Sequence, residues 1–526
     1  MNSATLMPAG LPSGGIAQGS VFTINGLRLG PADTPDLSDP LTTTLSDVSI
    51  SVTQGTTSVD AIPLTLSATT LTAIMPSTAA LGMNSVRVTY KTGKSNPMPV
   101  NVVATQFGIS TVNAAGNGPA IAQNDNGDGT TTQNTLQTPA YPGQTVYLTG
   151  TGLGAIGTDT ALTPDPSNLT VQTEVFVAGE SAAVTSNGRV APGMDLIGFV
   201  LPSDVLIGCW TPVYVRTAGT NVSNFATIAI SADGTPCQEP NNYLASALIN
   251  GGNNGTYAVA RINVRHDAGV RTPRDATTDL FGAYEASEVA GPSNFNPIFS
   301  LPPAGSCTVY TAVGDLISNP TAIIAGFTPP TGVALDDGGG ASLTGDKGTK
   351  TATASVYPGI SGVQLGSAVT SLPLTQQPFL ASGGLTLSVP GGNDIAAVSM
   401  DGPVPQPFTW SNRNDILAIT RANGLDLTWT GGDPAASVFI IVMSTDLPSN
   451  SSAAAGCIVP PGASEFIVPA DVLANLPATR YRAMQSRGAV YIGQWNLAAP
   501  PNVSTPGIDF GAFLPIFVTG KSVSFQ

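Results

Sequence analysis

The side chains able to do chemistry are few and scattered. His266 is the only histidine in 526 residues. A serine hydrolase built on a Ser-His-Asp triad would have to use it, because the imidazole takes the serine proton. Asp267 follows it directly, and Asp275 and Asp279 lie nearby. No Gly-x-Ser-x-Gly turn presents a nucleophile, so His266 is expected at the surface, at a strand end. A metal site with two histidines is excluded within one chain.

Three carboxylate groupings could also do chemistry. Asn124-Asp125-Asn126-Gly127-Asp128-Gly129 has the opening letters of a calcium loop. Such a loop begins on Asp and closes on Glu at its twelfth place, whereas counting from Asn124 reaches Thr135. The same letters make a hairpin tip, which is the expectation here. Asp336 and Asp337 precede three glycines, and Asp346 sits in a second glycine-bearing stretch. Glycosidase chemistry needs two carboxylates on opposite walls of a cleft; beside glycine, these read as turns.

The cationic clusters are Arg261, Arg265, Arg271 and Arg274, with Arg480, Arg482 and Arg487. They could meet an acidic polymer, but pairing with Asp267, Asp275 and Asp279 is expected. Trp210, Trp410, Trp429 and Trp495 could stack on sugars. Trp210 follows Cys209, a position that suits packing on an inter-sheet disulfide. No residue is assigned as catalytic, cofactor-binding or metal-ligating. The expectation is a non-enzymatic protein without a cofactor.

The elements that hold these residues read as strands. Val86-Arg87-Val88-Thr89-Tyr90, Thr173-Glu174-Val175-Phe176-Val177 and Ala258-Val259-Ala260-Arg261-Ile262-Asn263-Val264 alternate apolar with polar. Gly, Pro, Asn and Asp punctuate them. One helix is expected, over Pro469-Ala470-Asp471-Val472-Leu473-Ala474-Asn475-Leu476. Many short strands without intervening helices point to an all-β chain of sandwiches.

The first half contains a duplication. The stretch from Gly19 to Gly30 matches the stretch from Gly143 to Gly154 at an offset of 124. Ile74-Met75-Pro76 matches Val200-Leu201-Pro202 at 126, and Ser95-Asn96 matches Ser223-Asn224 at 128. An ordered series with small drift is what duplication followed by loop insertions leaves. The strand running into Gly-x-x-Leu-Gly, the apolar-Pro middle and the Ser-Asn near the last strands resemble IPT/TIG domains, an immunoglobulin-like fold. Tandem pairs of such domains occur in secreted proteins of environmental bacteria. The residues carrying the resemblance are Ile16-Ala17-Gln18-Gly19-Ser20, Pro139-Ala140-Tyr141-Pro142-Gly143, Cys209-Trp210-Thr211-Pro212-Val213, and Ser223-Asn224-Phe225-Ala226-Thr227-Ile228-Ala229-Ile230 to Cys237. The match covers residues 8–237. It implies tandem sandwiches and a secreted location, and no activity.

Four domains are expected: immunoglobulin-like copies at 1–105 and 106–237, then β-sandwich modules at 238–405 and 406–526. The last boundary rests on the extended stretch Pro403 to Pro407. Four cysteines without Cys-x-x-Cys spacing speak against zinc. Of three possible disulfide pairings, Cys209–Cys237 and Cys307–Cys457 are expected. The first brackets two neighbouring strands and closes a short loop; buried free thiols are the competing reading.

The net charge of −15 excludes a basic surface for nucleic acid. No apolar run reaches the roughly 18–20 residues of a membrane span. Met1-Asn2-Ser3-Ala4-Thr5 lacks the basic and apolar regions of a signal peptide, so a mature secreted form is expected. The Phe517–Phe525 stretch reads as an edge strand able to pair with another chain. Together these features predict a secreted or cell-surface structural or adhesive protein. Its expected partners are further copies of itself or other surface proteins, with polysaccharide recognition as the competing reading.

Overall fold

Val48, Ile50 and Val52 alternate with hydroxyl residues, and the strand they form buries all three. Side chains of a strand point to opposite faces in turn, so this spacing yields one apolar face and one polar face. That pattern, repeated along the chain, gives an all-β structure. The computed structural model describes residues 1–165, 169–266, 274–317, 332–369, 378–380, 384–479 and 486–526. The chain packs into two units, Met1–Thr235 with Val309–Val313, and Pro236–Thr308 with Gly314–Gln526.

The first unit holds two immunoglobulin-like sandwiches of the same topology. Copy one comprises β1 (Ile16–Ala17), β2 (Val21–Asn25), β3 (Val48–Gln54), β4 (Thr57–Leu66), β5 (Thr70–Ile74), β6 (Gly82–Tyr90) and β7 (Met98–Val103). Copy two comprises β8 (Thr145–Thr151), β9 (Thr173–Val177), β10 (Glu180–Ala191), β11 (Met194–Val200), β12 (Gly208–Thr217) and β13 (Ala226–Ile230). Their orders are β2-β5-β4-β3-β6-β7 and β8-β11-β10-β9-β12-β13. In each, one long strand belongs to both layers. β4 pairs β3 through Ala61 and β5 from Ile62; β10 pairs β9 through Ala182 and β11 from Ala183. Each copy encloses its own apolar core.

The duplication holds down to individual pairs. Val21 opposes Ile74 in copy one and Thr145 opposes Val200 in copy two. The Ser95 N–H donates to the Val88 carbonyl at 2.8 Å, and its hydroxyl accepts from the Val88 N–H at 3.0 Å. Ser223 does the same to Val215 at 2.8 and 2.9 Å. A serine oxygen thus stands in for a ladder carbonyl where the chain turns into the final strand. Gly19 and Gly143 both take left-handed backbone, φ 71° and 82°, where a Cβ is penalised.

The second unit is built on a wide mixed sheet ordered β24-β23-β26-β27-β14-β15-β18. Its strands are β14 (Gly252–His266), β15 (Arg274–Glu288), β18 (Ile360–Val369), β23 (Ser437–Asp446), β24 (Ser451–Val459), β26 (Ser486–Trp495) and β27 (Phe510–Phe525). A small sheet ordered β17-β16-β19-β20 uses β16 (Ser342–Gly345), β17 (Gly348–Thr351), β19 (Leu385–Val389) and β20 (Val398–Gly402). It packs on the wide sheet through Leu343, Leu387 and Val389 against Tyr257, Phe281 and Phe513. A three-stranded sheet joins β21 (Phe408–Trp410), β22 (Leu425–Gly431) and β25 (Glu465–Val468). Residues 238–405 and 406–526, expected as separate modules, both contribute strands to the wide sheet. Cys307 and Cys457 are bonded to each other across a sequence separation of 150. Cys209 and Cys237 are each disulfide-bonded and buried.

Among the described residues two short α-helices accompany the sheets, α1 (Ser246–Asn250) and α2 (Ala470–Ala474). The latter lies inside the predicted Pro469–Leu476 stretch and buries Val472 and Leu473. One expectation is corrected. Phe517–Phe525 is no free edge, because β27 is hydrogen-bonded to β14 on one side and to β26 on the other. Both of its sides are paired from Phe517 to Lys521, so it offers no ladder to another chain there.

Candidate functional site

His266 is the last residue of β14, exposed, opposite Arg274 in the ladder. The carboxylates near it in sequence are held by arginines. Arg261 makes a two-pronged contact with Asp279, Nε and Nη2 each at 2.9 Å, and also donates to the Leu380 carbonyl. Asp275 lies 3.6 Å from both Arg265 and Arg413. Arg487 pairs with Asp315 at 3.3 Å. The local pairing expected for Arg261 and Arg265 is therefore present. Asp267, Arg271, Arg480, Arg482 and the Arg274 side chain lie outside the described residues.

The Asn124–Gly129 stretch closes a hairpin. Asp125 accepts from the Gly127 N–H at 2.8 Å and the Tyr147 hydroxyl at 2.9 Å, while Asp128 accepts from the Thr130 N–H and hydroxyl. Asp346 lies in the exposed turn between β16 and β17. Trp210, Trp410 and Trp429 are buried, and Trp495 packs on Phe439 with ring centroids 4.6 Å apart. These tryptophans build core; they do not form an open stacking platform.

Two charged clusters that the sequence did not announce are more organised. The first lies within copy two of the first unit, beneath a turn of copy one. Arg189 and Asp195 are 1% and 0% exposed. Arg189 Nε donates to Asp195 Oδ1 at 2.8 Å, and Nη2 donates to Oδ2 at 3.3 Å and to the Gly154 carbonyl at 3.1 Å. Asp195 Oδ2 also accepts from the Gly152 and Leu153 N–H groups, each at 2.8 Å. Burial pushes the Asp195 carboxyl up, against the pull of Arg189 and these two amides. Directly over the guanidinium lies Gly19 of copy one; a Cβ there would overlap Nη1 and sit 2.7 Å from the Gly154 oxygen.

Further bonds run beside this pair. The Val21 N–H donates to Thr151 Oγ1 at 2.8 Å, and that hydroxyl donates to the Gly193 carbonyl at 2.5 Å. Ser77 donates through its N–H and its hydroxyl to Asp159, each at 2.7 Å. Leu41, Ile62, Ile74 and Leu162 pack together beside them. The two copies are joined by hydrogen bonds and apolar contact, with the copy-two ion pair packed beneath Gly19.

The second cluster lies on the wide sheet of the second unit. The Tyr257 hydroxyl donates to Glu285 Oε1 at 2.7 Å, and the Glu285 carboxyl is within hydrogen-bonding reach of Asp337. Burial, with the nearby Asp337 charge, raises Glu285 to about 7. The Tyr257 hydroxyl is pushed up by burial first and by the Glu285 and Asp337 charges. On the opposite strand face Tyr284 donates to Glu288, and burial raises both groups. A carboxylate inside the otherwise apolar Gly282-Ala283-Tyr284-Glu285-Ala286, beside a tyrosine, was the available sequence signal.

No family model and no curated protein matches the chain. Solved structures with partial likeness include dimeric latent PorU from Porphyromonas gingivalis, 10% identical at a TM-score of 0.15, covering 82% of this chain. This chain spans 35% of that protein's length. SGBP-B from a complex xyloglucan utilization locus in Bacteroides uniformis is 12% identical at a TM-score of 0.19, covering 73% of this chain and 94% of that one. Domains 5–6 of the S-layer protein SbsC are 13% identical at 0.15, covering 42% and 94%. At such scores no property of those proteins transfers to this chain.

Proposed function

We propose that the chain is a non-enzymatic, secreted or cell-surface β-protein with a structural or adhesive task. Its paired immunoglobulin-like copies, of the IPT/TIG kind, serve as a stiff spacer. It acts by self-association or by contact with other surface proteins, as a subunit of an extracellular filament or surface layer. The observation that carries this reading is the junction between the copies, where the Val21 N–H donates to Thr151, Ser77 donates twice to Asp159, and Leu41, Ile62 and Ile74 pack on Leu162. These contacts cross from one copy to the other and support a fixed pair, and the buried ion pair of Arg189 and Asp195 stiffens the copy-two side of the seam beneath Gly19. Disulfide-bonded cysteines at all four positions support an oxidising compartment. The arginines near His266 pair with carboxylates that a triad would need free. The polysaccharide reading has no specific observation in its favour, since Trp210, Trp410 and Trp429 are buried.

Spin labels at the exposed positions Ser58 and Ser181 test the spacer. A single narrow distance distribution is expected; a broad one would overturn the stiff coupling of the copies. Negative-stain microscopy across a wide concentration range tests the assembly. Ordered oligomers or filaments are expected, and monomers at every concentration would remove self-association.

A further inference from the structure

The loop Asp336-Asp337-Gly338-Gly339-Gly340 reads as a solvent turn, yet it is drawn onto the wide sheet of the second unit. It leads into β16, and the loop Gly391–Ile395 leads out of β19, so both belong to the small sheet. The two loops are interlocked. The Asp336 carboxylate accepts from the Asn393 N–H at 3.2 Å and Nδ2 at 2.6 Å, while the Asp394 carboxylate accepts from the Asp336 N–H at 2.8 Å. A Cβ on Gly338 would collide with the Gly391 carbonyl, so glycine is required for the loops to pass this closely.

The segment leading into the loop pairs with β15, Ala334 opposite Ala286 and Val333 opposite Ser287, and two further contacts at Glu285 fasten the loop itself. The Leu335 N–H donates to the Glu285 carbonyl at 3.1 Å. The Asp337 carboxyl meets the Glu285 carboxyl, which is 6% exposed. Among the described residues Tyr257 from β14 supplies the one protein donor to the Glu285 carboxyl, and Asp337 Oδ2 is buried without a donor. Asp337 Oδ1 is satisfied by the Gly340 N–H at 3.1 Å and the Gly339 N–H at 3.2 Å. Asp336 and Asp394 are engaged as above. No described lysine, arginine or histidine bonds to any of these carboxylates. Two carboxyls in mutual contact away from solvent cannot both stay ionised; one proton between them gives the orphaned oxygen its partner.

We propose that Glu285 and Asp337 share one proton and thereby latch the small sheet to the wide sheet, so that losing the proton releases the Leu335–Gly340 loop. Alkaline solution opens the latch, because both carboxylates then face each other uncompensated. Its midpoint lies near neutrality, in line with the raised Glu285 carboxyl. The proposal is independent of the spacer reading: it concerns only the second unit and stands even if the copies of the first unit move.

Hydrogen exchange on the full chain, corrected for intrinsic base catalysis, tests it between about pH 5 and about pH 9. In the native protein, peptides covering Leu335–Gly345 should lose protection above neutrality. Opening should grow about tenfold per pH unit there, the slope of a single proton. Glu285→Gln keeps the acceptor for Tyr257 and donates to Asp337 permanently, so its loop should stay protected across the range. Asp337→Asn should do the same from the other side, while Asp346→Asn, in an exposed turn of the same sheet, should retain the native response. Protection in the native protein that does not change with pH overturns the proposal. So does an undiminished alkaline loss in both Glu285→Gln and Asp337→Asn.

Discussion

Replacing Arg189 by methionine keeps most of the side-chain volume and removes the charge. The variant loses the Nε–Oδ1 contact of 2.8 Å, the Nη2–Oδ2 contact of 3.3 Å and the bond to the Gly154 carbonyl. Asp195 keeps its two backbone donors from Gly152 and Leu153 but becomes a buried carboxylate without a cation. Two unit charges at about 4 Å attract by about 4 kcal/mol at the dielectric suited to protein sites. Breaking one side of a buried pair costs about 3–5 kcal/mol. At about 1.4 kcal/mol per factor of ten, amides of the β10–β11 hairpin should exchange over about a hundredfold faster. Exchange on the full chain reads this directly, without assuming that the two units unfold together. The damage should shrink in acid. Burial already raises the Asp195 carboxyl, and removing Arg189 raises it further. The stability tied to that proton is therefore present at low pH and lost as pH rises through the folded value. Adding Asp195→Asn removes the orphaned charge and should restore stability to within about 1–2 kcal/mol of native. If Arg189→Met leaves the hairpin as protected as before, or if the double variant is no better than the single, the pair is not what holds the β10–β11 hairpin.

Three other outcomes follow from the same geometry. Gly19→Ala and Gly143→Ala occupy equivalent left-handed positions, but only the first meets Arg189 and the Gly154 carbonyl; nothing lies within 4 Å of a Cβ at 143. Gly143→Ala should cost about 1 kcal/mol, and Gly19→Ala about 1–3 kcal/mol more from overpacking, compared by the exchange of their own copies. Reducing Cys307–Cys457 opens a loop of 150 residues, worth about 5 kcal/mol in the chain-entropy account, and should speed exchange in β23 and β24. Glu285 rises from 4.5 to about 7 on folding. Its contribution is complete below the unfolded value and fades as pH climbs through about 7, a span of about 3 kcal/mol that Glu285→Gln should flatten in denaturant titrations across pH.

What the sequence discloses depends on how local the cause is. The sandwiches of the first unit are legible because their signals act over a few residues. Val48, Ile50 and Val52 alternate, Gly19 and Gly143 take left-handed turns, and Ser95 and Ser223 replace a ladder partner. Strand β27 is legible as a strand and illegible as the middle of a sheet. Its alternation says β, but its neighbour β14 lies in a distant part of the chain, from Gly252 to His266. The four tryptophans show the same limit: composition offers them, and only the packed layers decide that three are core. Arg189 and Glu285 were missed because a charged residue inside a strand gives no sign of which face the fold will bury.

The drift between copies is the place where those two kinds of information meet. In copy one the β4–β5 hairpin closes at Leu66 opposite Leu71; in copy two the equivalent pair is Asn187 opposite Ile197. The offset is therefore 121 on one side of the turn and 126 on the other, an insertion of five residues within a single hairpin. Those extra residues carry the ladder onward through Arg189 opposite Asp195. The insertion is a feature that copy one does not share. It gives copy two a buried guanidinium that copy one lacks and sets it beneath the copy-one turn at Gly19, where a Cβ would collide with it. The asymmetry between the copies thus grew out of a turn, where added residues leave the two cores intact.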